Sequence, residues 1–206
     1  MSVAGKLVVI AGAGSASGLA AARALGNAGA RVVAVSHADC DLTDEQAVTA
    51  LAELIHTSNG PVDGVLHLVG GWRGGGGLAA QSEADFRFVE ASFTALRHVS
   101  RAFYADLQDS DAGRFAVVSS PVVDRPLAGG ANYAAIKAAT EAWTRALAQG
   151  FAKDARDTAR ELTAASAIFR VKSLAGLEDE LANRFVGLWD VPAIDVNDTV
   201  IEIGNQ

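Results

Sequence analysis

The chain has 206 residues, half of them hydrophobic, with 17 basic and 24 acidic residues and a formal net charge of −7. That length suits one α/β domain with a full core, and an acidic chain without a basic stripe is a poor partner for nucleic acid. No apolar run is long enough to span a bilayer, the start MSVAGK lacks the apolar core of a secretion signal, and the single cysteine, Cys40, excludes an internal disulfide or a cysteine-based metal cluster. The expectation is a cytoplasmic protein with no nucleic acid, membrane or metal partner, and these features do not distinguish an enzyme from a scaffold.

Leu7–Ile10 is a short apolar run that predicts a buried strand. It leads into Ala11-Gly12-Ala13-Gly14-Ser15-Ala16-Ser17-Gly18, a turn of small residues, and then into an alanine- and leucine-rich helix. Strand, small-residue turn and helix open a dinucleotide-binding unit: glycines let the backbone approach a pyrophosphate, and free N–H groups at the helix start face its charge. A glycine-rich turn that binds nothing has the same composition.

Asn27-Ala28-Gly29 stops that helix and Arg31–Val35 predicts a second strand. Thr43-Asp44-Glu45-Gln46 reads as a capping box for a helix ending near Asn59-Gly60-Pro61. Val62–Val69 predicts a strand, and six glycines among residues 70–77 predict a mobile loop. Ser82 is placed as the cap of a long helix reaching about Gln108. Further strands are expected at Phe115–Ser119, Ala164–Val171 and Thr199–Ile203. Helices are expected from Tyr133 to about Gln149, as an exposed extension over Ala152–Arg160, and over Glu178–Trp189. Alternating strands and helices predict one doubly wound parallel sheet with helices on both faces, a single Rossmann-like domain over residues 1–206. Ligands then bind beyond the carboxyl ends of the strands, where the glycine turn, the Gly70–Gly77 loop and Ser120 all fall.

Tyr133 and Lys137 stand four residues apart, hence on one helix face. A nearby cation favours the phenolate and pulls a phenol toward its working range. Ser120, thirteen residues earlier at a strand end, can hydrogen-bond the carbonyl oxygen that the tyrosine protonates. Taken singly, each feature has a plainer reading, as an amphipathic helix with a surface lysine or a serine ending a strand. His67 reads as a satisfied strand histidine and Cys40 as a small apolar filler, while His56 and His98 have no evident partner.

In combination, the glycine turn, Ser-x12-Tyr-x3-Lys and Ala131-Asn132-Tyr133-Ala134-Ala135-Ile136-Lys137-Ala138-Ala139 resemble the short-chain dehydrogenase/reductase family over nearly the whole chain. In that frame Ala11 and Ala16 replace the Thr and the middle Gly of T-G-x-x-x-G-x-G. The resemblance implies an NAD(P)-dependent oxidoreductase with Tyr133 as proton donor or acceptor, Lys137 on the nicotinamide ribose and Ser120 on the substrate carbonyl. It implies a cofactor site formed by Gly12, Gly14, Ser15, Ala16, Ser17, Gly18, Ser36, His37, Asp41, Leu42, Val69, Gly70, Gly71, Tyr133 and Lys137, and a homodimer or homotetramer. Ser36 and His37 stand where the ribose 2′-position is read, with Asp39 able to reach back, and do not decide between NAD and NADP.

Three departures are visible. His67-Leu68-Val69-Gly70 replaces Asn-Asn-Ala-Gly, Ser92 replaces the asparagine of the proton relay, and Arg170-Val171 replaces Pro-Gly. A helix and strand are also shortened away after Val35. The run from Val62 to Gly75, with its Gly70-Gly71-Trp72, is similar to the dihydropteridine reductase branch, which implies a quinonoid dihydropterin as one substrate possibility, with Trp72, Ser120 and Tyr133 against it. Trp72 equally suits a plug under a loop. The departures leave open a dinucleotide-binding regulatory protein without catalysis, or a structural subunit that binds no nucleotide. With little chain after Val171 for a lid, the expected pocket is open and covered mainly by the Gly70–Gly77 loop.

Overall fold

The computed structural model describes residues 2–204. Strands β1 (Leu7–Ala11), β2 (Arg31–Val35), β3 (Gly64–His67), β4 (Arg114–Ser119), β5 (Ala165–Arg170) and β6 (Thr199–Glu202) form one sheet in the order β2-β1-β3-β4-β5-β6. Every pairing is parallel, so helical crossovers cover both faces. The helices are α1 (Ala16–Asn27), α2 (Glu45–Asn59), α3 (Glu83–Ala102), α4 (Tyr104–Asp109), α5 (Ala131–Asp157), α6 (Glu178–Val186) and α7 (Ala193–Val196). The single Rossmann-like sheet expected from the alternation of elements is the one found.

Alternate strand residues divide the core. Val8, Ile10, Ala116 and Phe169 pack with Leu25 of α1 and Leu181 and Phe185 of α6 on one face. Leu7, Val9, Phe115 and Ile168 pack with Val48 of α2, Leu96 and Val99 of α3 and Phe151 of α5 on the other. Strands covered on both faces read as continuous apolar runs, which is why they were visible in the sequence. The edge position of β2 agrees with the shortening expected after Val35.

Four boundaries differ from expectation, each for a local reason. Asp44, not Thr43, caps α2, its carboxylate accepting from the N–H groups of Gln46 and Ala47, while Thr43 is held by Asp41. The strand expected over Val62–Val69 contracts to β3, because the Val62 N–H is taken by the Asp106 carboxylate and the chain after Leu68 turns into the glycine run. The long helix breaks at Phe103, offsetting α4 so that Tyr104 stacks flat on Phe151 at 5.1 Å. The Tyr104 hydroxyl fills the space left by Gly150, where a Cβ would lie 2.4 Å away. That packing lets α5 continue unbroken for 27 residues, so the helical extension expected over Ala152–Arg160 is part of it and stops at Asp157. Among the described residues no helix is long and apolar enough to cross a membrane.

Candidate active site

The chain moves outward from β1 to β2 and then returns to the other side of β1 as β3, leaving a crevice between the carboxyl ends of β1 and β3. The first wall is the turn between β1 and α1. Gly12 has φ +93°, and a Cβ there would lie 2.9 Å from the Leu68 carbonyl carbon. A Cβ on Gly18 would lie 2.6 Å from the Ala13 Cα, so the third glycine of the turn lets α1 pack down on the strand exit. Ser15 caps α1: its hydroxyl accepts from the Gly18 N–H at 3.0 Å and donates to the Gly12 carbonyl at 3.0 Å. Ala16, the substituted glycine, is the exposed first residue of the helix. No acidic residue lies in that first turn, so the positive end of the helix dipole is left for an external anion.

The second wall follows β3, β4 and β5. A cavity of about 270 Å³ is lined by Ser15 and Ser17, by residues 67–71, by Val118 and Ser119, by Tyr133 and Lys137, and by residues 171–174. Of the residues expected at the site, Ser15, Ser17, Val69, Gly70, Gly71, Tyr133 and Lys137 line this cavity together. Ser120 and Trp72 line an adjoining hollow, which also reaches Tyr133. Gly12 and Gly18 shape the turn from beneath. Ser36, His37 and Asp41 lie beyond β2, where the Ser36 N–H and hydroxyl both donate to the Asp39 carboxylate at 2.8 and 2.6 Å. Leu42 is buried in the core, its carbonyl near His98 Nδ1 at 3.2 Å.

Burial dominates the electrostatics of the pair. Lys137 is buried, donates to the Val118 carbonyl at 2.8 Å, and has its ammonium 5.6 Å from the Tyr133 ring centroid. Desolvation lowers its pKa to about 8, against the pull of the Glu141 charge. Tyr133 departs from the sequence expectation. Burial raises its pKa above the ordinary 10.0, with only the Ser120 hydroxyl pulling it down. The phenol is therefore held in its protonated form.

His67 also corrects an expectation. Its Nε2 lies 3.3 Å from the Ser92 carbonyl, but Nδ1 is buried without a hydrogen-bond partner among the described residues. Burial depresses its pKa to about 4, so it is neutral. His56, by contrast, finds Asp106 at 2.7 Å, and Cys40 packs against the core as expected.

Arg170, where the family pattern has Pro, ties the site's back wall together. Its guanidinium donates to both Glu141 carboxylate oxygens at 2.8 and 2.7 Å and to Asp124 at 2.7 Å. The Gly70–Gly77 loop forms no strand, but it is tethered. The Gly75 N–H donates to the Gly129 carbonyl at 2.7 Å, and the Gln81 amide donates to Gly75 and Gly129. Lys172, Ser173 and Leu174 were not singled out from the sequence, although they follow a strand and so sit on the ligand edge.

A match to the description "short chain dehydrogenase" covers residues 6–155. The chain belongs to the short-chain dehydrogenase family. Members of this family are NAD(P)-dependent oxidoreductases, and the short-chain dehydrogenase fold here superposes closely on solved structures. The 3-ketoacyl-(acyl-carrier-protein) reductase from Brucella melitensis, complexed with NADH, gives a TM-score of 0.84 at 18% identity over 98% of this chain and 97% of that one. A metagenomic short-chain oxidoreductase in complex with NADP gives 0.82 at 23% identity over 100% of both chains. NAD+-bound xylitol dehydrogenase gives 0.81 at 16% identity, again over 100% of both. No curated protein matches the sequence.

The residues present fit a nicotinamide dinucleotide. The Gly12–Gly18 turn packs on the Leu68 backbone so closely that no Cβ fits at position 12, and it leads into an uncompensated helix start. Lys137 spends one of its three donors on Val118, leaving two for hydroxyl groups.

Proposed function

We propose that the chain, acting as one dinucleotide-binding domain, catalyses hydride transfer between NAD(P) and a small carbonyl or imine substrate, with Tyr133 as acid/base. The observation that carries this reading is the convergence of Tyr133 and a buried Lys137 on the crevice beside the Gly12–Gly18 turn. When bound, the reduced nicotinamide supplies the hydride, which adds to the electrophilic carbon. Tyr133, kept protonated by burial, delivers its proton to the oxygen or nitrogen that gains the electron pair. Ser120 orients that atom, and Lys137 holds the ribose with its two remaining donors. The backbone of residues 12–18 holds the pyrophosphate, Val69, Gly70 and Gly71 flank the nicotinamide half, and Ser36, His37, Asp41 and Leu42 border the adenosine half.

Within that class a quinonoid dihydropterin is one substrate we propose, its flat ring against Trp72. Self-association as a homodimer or homotetramer through α3 and α5, in the cytoplasm, completes the reading, and light scattering measures the assembly. Asp39, four residues past β2 and bonded back to Ser36, favours a free ribose 2′-hydroxyl, and no Lys or Arg lies between Arg31 and Arg73 to meet a 2′-phosphate.

Fluorescence titration should therefore rank NADH above NADPH. Tyr133→Phe should then lower turnover about 10²–10⁴-fold while the dinucleotide still binds. Full turnover in that variant removes Tyr133 from the mechanism. Tight dinucleotide binding with no hydride transfer to any carbonyl or quinonoid dihydropterin instead favours a regulatory protein, a reading supported by Ala16, Ser92 and Arg170-Val171 where the family pattern has Gly, Asn and Pro-Gly.

A further inference from the structure

Two hollows meet at Tyr133 and share Trp72 and Val122. The first, about 320 Å³, is otherwise lined by Gly75, Leu127, Gly129 and Gly130 and is almost wholly apolar. Trp72 and Leu127, 60% and 71% exposed, bring two large apolar side chains to this one hollow. The second, about 520 Å³, runs from Ser120 past Pro121 to Arg125, Lys172 and Ser173.

The charge on that second rim runs against the rest of the molecule. The chain carries −7, yet the two ionisable side chains on the rim besides Tyr133 are both cations, and no carboxylate lines it. Most other cations are engaged: Lys6 by Asp63 and Asp111, Arg101 by Glu45, Arg145 by Asp198, Arg160 by Asp154. Arg125 and Lys172 make no ion pair or side-chain hydrogen bond among the described residues. The acid beside Arg125, Asp124, is already taken by Arg170. Glu202 flanks Lys172 in the next hollow without pairing with it.

We infer that the substrate of this site is an anionic carbonyl compound: an apolar, ring-sized body seated between Trp72 and Leu127, with a carboxylate or phosphate held by Arg125 and Lys172. This rests on the oxidoreductase reading and narrows it. Arg offers a planar fork and Lys a point charge, so together they accept either anion. The carbonyl then lies between Ser120 and Tyr133, where the two hollows join.

The test uses the full-length protein saturated with NADH. Turnover of 2-, 3- and 4-formylbenzoate is compared with that of 4-methylbenzaldehyde, and 4-formylphenyl phosphate is the phosphate arm. The best anionic aldehyde should exceed the neutral one in kcat/KM by about tenfold at low salt, and by less at high salt. The anionic-to-neutral ratio should fall toward one in Arg125→Gln/Lys172→Gln, whose folding is checked by its thermal transition. Turnover without a charge preference, or a ratio the double variant leaves intact, overturns the anionic assignment while the oxidoreductase reading stands. If none of the aldehydes turns over, calorimetry of the three (hydroxymethyl)benzoates with the NAD-loaded protein decides. Binding that the double variant weakens supports the assignment, and no heat overturns it. Failure to bind either dinucleotide overturns the parent reading instead.

Discussion

Lys137 sits in an environment hostile to an ammonium, and that strain can be measured. In the folded chain its protonated form is the costly one, with a pKa near 8 against the ordinary 10.5. Unfolding therefore takes up a proton between those values, and this group makes stability rise with pH across that window. Below about pH 8 the charged folded state carries the full cost, on the order of 3 kcal/mol for a shift in which the Glu141 attraction is already counted. Lys137→Met should accordingly raise stability by about 1–2 kcal/mol at pH 7, with the gain shrinking above pH 8, while removing the proposed ribose donor. Urea unfolding at pH 7 and pH 10 checks this. An unchanged or lower stability at pH 7 would show that the ammonium is well solvated in place. Tyr133 shows the same burial from the other side, because there desolvation disfavours the phenolate and raises the pKa.

At the scale of elements, α5 presents Tyr133, Lys137 and Glu141 at four-residue intervals, toward Ser120, the Val118 carbonyl and Arg170 at the carboxyl ends of β4 and β5. Burial alone would push Glu141 upward, but Arg170 holds it below the usual carboxylate value through two short hydrogen bonds. The same guanidinium reaches Asp124 in the segment that carries Ser120. One side chain thus fixes α5 and the serine loop to the end of β5, a task that Pro-Gly at this position could not perform. Arg170→Leu leaves the Glu141 charge buried and should cost about 3 kcal/mol, whereas Arg170→Leu with Glu141→Leu should recover most of that loss. Equal losses in the single and double variants, measured by denaturant unfolding, would argue that the pair is a screened surface contact.

This network also marks the boundary of what the sequence could disclose. The glycine turn, Ser120, Tyr133 and Lys137 were legible because their spacing follows one helix and successive strand ends. The cross-element partners were not legible, because Arg170 lies 29 residues from Glu141 and nothing local announces the pairing. The Tyr133 shift was misjudged for a related reason: four-residue spacing gives proximity to Lys137, but burial, which has the larger effect, depends on the whole cleft. The break at Phe103 escaped notice because α3 and α4 share one apolar stripe, and the offset is decided by Tyr104 against α5.

Across the whole molecule, the two edges of the sheet carry different work. The carboxyl edge holds a desolvated ammonium, an unpartnered His67 nitrogen and a left-handed Gly12, while the amino edge has one unpartnered buried nitrogen of its own, Trp189 Nε1. At the amino edge, Arg114, the first residue of β4, is 1% exposed. Its guanidinium donates to the carbonyls of Gly113, Thr163, Leu188 and Val191 at 2.8–3.0 Å, joining the starts of β4 and β5 to the chain around Trp189. Burial brings its pKa down to about 10, so it remains charged at neutral pH and all of its bonds are charge-assisted. Arg114→Met keeps the bulk but leaves four carbonyls without that donor, and should lower stability by about 3 kcal/mol. Arg114→Lys restores the charge without the fork and should fall between the two. Because this edge is a full strand length from the Gly12–Gly18 turn, folded Arg114→Met should bind NADH as the parent protein does. A drop in NADH affinity well below its unfolding temperature would show that the two edges are coupled, and that the amino edge does more than hold the sheet together.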